Sequence, residues 1–129
     1  MPKENMIIQT NNAPQAIGAY TQGVVFNQTY YFSGMLGINP DTKELENGFE
    51  PQLEQIMNNI DALLQSQNLS RNHIIKTTIF IKDLSNFAKV NSAYEQYFDQ
   101  PYPARSCVEV KGLPKNADIE IEVIAAKFN

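Results

Sequence analysis

The chain has 129 residues, 43% of them hydrophobic, with a net charge of -4 and a pI near 4.9. That length fits one domain, 1–129, burying roughly two-thirds of its unfolded surface. The acidic balance leaves no broad cationic field for nucleic acid. No apolar run nears the roughly 18 residues that span a bilayer.

The opening Met1–Asn5 lacks the apolar stretch of a signal peptide, so a soluble cytoplasmic protein with no membrane partner is expected. The single cysteine, Cys107, cannot form an internal bridge, and with the single histidine, His73, it makes no spaced set of metal ligands.

In chain order, residues 6–9 suggest a short first strand, and Asn11–Pro14 carries turn chemistry. Ile17 to Gly23 is a loop in which two glycines bracket Tyr20, which either packs down for stability or stands at the tip of a flap. Val24–Phe26 and Tyr30–Ser33 flank Asn27–Thr29 as a hairpin, running into Gly34–Pro40. Leu53, Ile56, Met57, Ile60, Leu63 and Leu64 recur at helical spacing, with Glu54, Asn58, Asn59, Asp61 and Gln65 on the solvent side and Asn68 as the stop.

Ile74–Ile81 alternates as a strand with apolar groups on both faces. A second helix follows Asp83–Asn86, with Phe87, Val90, Tyr94, Tyr97 and Phe98 on one face and Asn91 among them. That amide either ties down a neighbouring loop or faces a cavity. Pro103–Val110 and Ile119–Ile124 read as closing strands. The order β-β-α-β-α-β-β predicts an α+β domain, one mixed sheet with two helices on one face. Apolar groups on the other face point to oligomerisation through it.

No nucleophile elbow, phosphate cradle or catalytic triad is present in the sequence. What remains is Arg105, Cys107 and Glu120. Alternation puts Arg105, Cys107 and Glu109 on one side of their strand. An arginine among apolar neighbours needs an anion, either Glu109, Glu120 or Glu122 as an internal pair, or a small carboxylate ligand gripped through two hydrogen bonds. The residues alone favour the internal pair. Cys107 reads as a small buried hydrophobe. If the last two strands formed a hairpin pairing Glu109 with Glu120, then Arg105 would stand roughly 13 Å from Glu120.

The linked runs AIGAYTQG, SGMLGINP, KTTIFIKDLSNFAKVNSAYEQYF, PARSCVEV and IEIEVIA closely resemble the RidA (YjgF) family, in the family's order and over nearly the whole chain. The resemblance implies a chorismate-mutase-like subunit assembled as a homotrimer, with clefts between subunits. It implies a cofactor-independent deaminase that hydrolyses 2-aminoacrylate and 2-iminobutanoate to 2-keto acids and ammonia. Carried over, Arg105 holds the substrate carboxylate, the backbone at Cys107 contacts the imine nitrogen, and Glu120 orients the attacking water. Tyr20, Asn91, Ser33 and Gly34 line the cleft. Two departures bear on specificity: Ala19 precedes the tyrosine where many relatives have proline, and Met35-Leu36-Gly37 replaces a more polar run. A non-catalytic metabolite-binding trimer and a ribonuclease or translation inhibitor are the alternative functions.

Overall fold

The computed structural model describes residues 3–128. Its strands and helices are β1 (Ile7–Ile8), β2 (Gly23–Phe26), β3 (Thr29–Phe32), β4 (Met35–Leu36), α1 (Phe49–Ser66), β5 (Ile74–Ile81), α2 (Phe87–Tyr97), β6 (Ala104–Glu109) and β7 (Ile119–Ala126). The α+β order is the expected one; β1 falls within the short strand expected at residues 6–9, and β4 is a two-residue addition.

The sheet runs β1-β2-β3-β7-β5-β6, and β4 also pairs with β7. β5 and β6 are parallel because α2 carries the chain across between them. The last two strands are therefore not a hairpin: β5 lies between them. β7, with Ile119, Ile121, Val123 and Ala125 buried, fits the middle of a sheet covered on one face. Its Glu120, Glu122 and Ile124 look the other way, in the row of Phe80, Thr78 and Lys76.

Two breaks in register shape the sheet. Tyr31 pairs with Ile124 and Met35 with Ile121, so four steps on one side meet three on the other. The extra residue falls at Ser33–Gly34, and β3 and β4 are two pieces of one interrupted strand. The other break lies between Ile74 and Lys76. It turns Ile74 into the core and leaves Ile75 43% exposed, where simple alternation puts Ile75 on the face of Thr77 and Ile79.

The helices cover the face that carries Ile79, Ile121 and Val123. α1 buries all six of its predicted stripe residues, each contributing about 1.5–3 kcal/mol when fully removed from water. Asn59, expected on the solvent side, is only 1% exposed; its amide donates to the carbonyls of Leu36 and Ile38 at 3.2 and 2.9 Å. α1 ends at Ser66, and Asn68, two residues on, turns the chain away with a φ of 59° while its N–H donates to Gln65 O and that of Leu69 to Leu64 O. α1 lies so close to Gly37 that a Cβ there would come within 2.5 Å of the Gln52 carbonyl oxygen.

Candidate active site

Arg105 sits on β6, an edge strand on which only Cys107 is even half-buried. The apolar strand expected around the arginine is thus largely open to solvent, because nothing pairs with β6 on its outer side. Among the described residues no carboxylate forms an ion pair with the guanidinium. Among the described residues the ion pairs are Arg71–Asp61 and Lys89–Glu50, so the internal pairing with Glu109, Glu120 or Glu122 is absent. Glu109 instead accepts a hydrogen bond from the Leu84 N–H ahead of α2.

What holds Arg105 is α2. Its Nη1 donates to Asn91 Oδ1 at 2.6 Å, and its guanidinium carbon lies 5.0 and 5.5 Å from the ring centres of Phe87 and Tyr94. One nitrogen is thereby fixed and the plane is steadied by the rings, leaving the other N–H donors for a ligand. Asn91 ties down a strand residue, where a loop or a cavity was expected. Burial pushes the Tyr94 hydroxyl up to about 12, so it stays protonated at neutral pH. Burial also raises the Cys107 thiol, against a smaller lowering by Arg105, which leaves it a poor nucleophile.

Glu120 lies in a groove of about 550 Å³ that also takes in Tyr20, Ser33, Gly34, Lys115 and Glu122. Gly34 is needed there: a Cβ would come 2.6 Å from Glu120 Oε2, so the missing side chain makes room for the carboxylate. Burial, and secondarily Glu122, raises the Glu120 carboxyl above the ordinary range. Ser33 donates through Oγ to Thr21 O at 2.6 Å and so pins the loop to the register break. Tyr20 does not pack down; it is 52% exposed, and its hydroxyl accepts from the Ile17 N–H. Met35, expected to change the cleft's polarity, is among the residues lining this groove, although it is largely buried in the core.

The candidate residues form two groups. Arg105, Cys107 and Asn91 stand on the helix-covered face at the β6 edge, where Arg105 pairs with Thr77 and Cys107 with Ile79. Glu120 pairs with Phe80 and points from the opposite face. Three residues along β5, about 10 Å, and the thickness of the sheet separate the two charged groups. A wider groove of about 640 Å³ between α1 and α2 contains none of the expected site residues.

Gln22 was not singled out by its sequence. It is 2% exposed, accepts from Thr10 N and donates to Thr10 O and Pro14 O, fixing the segment that walls the Glu120 groove. A lone glutamine in a glycine-bounded loop has no periodic signal. Asp61 was assigned to solvent. It takes two bonds from Arg71, at 3.0 and 2.8 Å, and one from the Tyr97 hydroxyl at 2.7 Å.

Fold and site together define an α+β domain with an arginine at the sheet edge on one face and a groove containing two carboxylates on the other. A family model described as Endoribonuclease L-PSP matches residues 10–127. The chain is 45% identical over 123 residues to an Escherichia coli K12 protein named 2-iminobutanoate/2-iminopropanoate deaminase, covering 93% of this chain and 96% of that one. RidA from an Antarctic Psychrobacter superposes with a TM-score of 0.91 at 42% identity, over 93% of this chain and 98% of that one. Escherichia coli TdcF with bound serine gives 0.89 at 42%, over 95% and 98%. The chain belongs to the RidA (YjgF) family.

Proposed function

We propose that the protein is an enamine/imine deaminase, hydrolysing 2-aminoacrylate, 2-iminopropanoate and 2-iminobutanoate to 2-keto acids and ammonia at sites built between copies of the chain, three to an assembly. The observation that carries this reading is that each of two candidate groups has no ion-pair partner among the described residues: Arg105, poised by Asn91, and Glu120, in its groove. The apolar groups on the helix-free face, Phe80, Ile124 and the 45% exposed Val108 and Tyr31, give copies a surface to share. The deaminase name of the 45% identical relative and the serine bound to TdcF, an amino acid with a carboxylate, support a small carboxylate as ligand.

In this mechanism Arg105 of one copy grips the substrate carboxylate through the donors that Asn91 leaves available. The backbone at Cys107 contacts the imine nitrogen, and the sulfur takes no part. Glu120 of the neighbouring copy accepts a hydrogen bond from water, whose oxygen bonds to the imine carbon as the C=N electron pair moves to nitrogen. One proton of that water passes to the nitrogen as the C–O bond forms; the other leaves the resulting hydroxyl and also goes to the nitrogen as the C–N bond breaks, so that the carbonyl forms and ammonia leaves. Tyr20, Ser33 and Gly34 line the cleft. The imine carbon is electrophilic from the start, so orientation supplies most of the acceleration and no cofactor enters.

A coupled assay tests this. With threonine dehydratase and threonine, the protein is expected to speed release of 2-oxobutanoate, and Arg105→Ala to abolish the effect. Unchanged release with the intact protein overturns the reading. The acidic groove, with Glu120 and Glu122 side by side, opposes an RNA backbone.

A further inference from the structure

Lys115 is the one cation among the described residues lining the groove of Glu120 and Glu122. None of the three side chains takes part in an ion pair. The backbone at Lys115 is left-handed, with φ 57° and ψ 20°, and Asn116 follows at φ 56°. Asparagine tolerates that region; lysine has neither its local hydrogen bonding nor the freedom of glycine. The turn is held from both sides, by Lys82 Nζ donating to Asn116 Oδ1 at 2.7 Å and by the Asn116 and Ala117 N–H groups donating to Leu113 O and Pro114 O. These bonds fix the turn without using the Lys115 side chain, so the strained position gains the fold nothing that glycine would not supply.

A substrate with a carboxylate meets a groove whose own charges repel it. We propose that Lys115 is a steering residue, which draws small 2-imino and 2-oxo carboxylates into the Glu120 groove against the repulsion of Glu120 and Glu122. This rests on the deaminase reading above and assigns a task that reading leaves open. Lys115 touches no reacting atom; Arg105 takes the carboxylate once it has arrived. Its contribution belongs to capture and not to the bond-breaking step.

The test compares the intact protein with Lys115→Gln, Lys115→Arg and Lys115→Gly, by calorimetric titration with 2-oxobutanoate and by the coupled assay, at low and high salt. One charge about 7 Å from an anion in water is worth about threefold in binding. Lys115→Gln is expected to lose about that factor in kcat/KM and in keto-acid affinity at low salt, with kcat unchanged. The loss should vanish near 0.5 M salt, where the screening length is about 4 Å. Lys115→Arg should restore steering. Lys115→Gly should lose it while melting no lower than the parent, because glycine relaxes the turn. Steering is overturned by parent-like behaviour of Lys115→Gln at low salt, by a loss that survives high salt, or by a fall in kcat. If the intact protein neither binds 2-oxobutanoate nor hydrolyses the imine, the deaminase reading falls and steering falls with it. Activity in the intact protein with no change in Lys115→Gln overturns steering alone.

Discussion

Arg105 and Glu120 point from opposite faces of one sheet, and the proposed mechanism therefore takes them from two copies of the chain. Mixing variants tests this directly. Arg105→Ala and Glu120→Gln chains are each expected to be inactive, since every site in either assembly lacks one group. Unfolded together in equal amounts and refolded, they should regain activity. A site is intact when a chain that keeps Arg105 adjoins one that keeps Glu120, with even odds for each side. Random assembly into closed rings therefore restores about a quarter of the parental activity. The complementary mixture, parent with an equal amount of the double variant, should give about a quarter as well, where sites contained within single chains would give about half. The assay is keto-acid release, with assembly size followed by light scattering. No recovery in the first mixture together with one-half activity in the second would refute the division of the site.

Further outcomes follow from single residues. The Glu120 carboxyl is raised by burial and by Glu122, so the folded state holds its proton more tightly than the unfolded state does, and the charged form costs stability once pH passes the ordinary carboxylate range. Glu120→Gln should therefore raise the melting temperature at neutral pH, and the gain should disappear in acid below that range. Gly37→Ala forces a methyl against the Gln52 backbone and should destabilise by about 1–3 kcal/mol in urea unfolding. Asp61→Ala strips partners from Arg71 and from the largely buried Tyr97 hydroxyl, and a loss of about 1–3 kcal/mol is expected by the same measurement.

The elements were readable because their signals are local. The α1 stripe and the alternation in β7 each follow from spacing, and every apolar residue that spacing selects is buried, joined in α1 by the polar Gln52 and Asn59. The order of strands in space was not readable, since no spacing within Arg105–Val110 says that β5 will stand between β6 and β7. The arginine shows the consequence: apolar alternation in residues 103–110 predicts a buried strand, and the position of β6 at the edge leaves it open. The family resemblance supplied the membership of the candidate site, while its division between faces came from register. Asn59 and Gln22 escaped notice because a buried amide is defined by the carbonyls around it, and those lie more than ten positions away, or in an irregular loop.

β7 is the latest of the described strands to be made, yet it lies between β3 and β5. Apart from residues 119–126, the strand pairings fall into two separate groups, β1-β2-β3 on one side and β5-β6 on the other, each turning a row of backbone donors and acceptors towards β7, which among the described residues is also the one partner of β4. Strand pairing therefore cannot be completed in chain order: the segment that joins the two groups follows both of them in sequence. The same segment delivers Glu120, which places the site's carboxylate in the chain only when the sheet itself becomes whole.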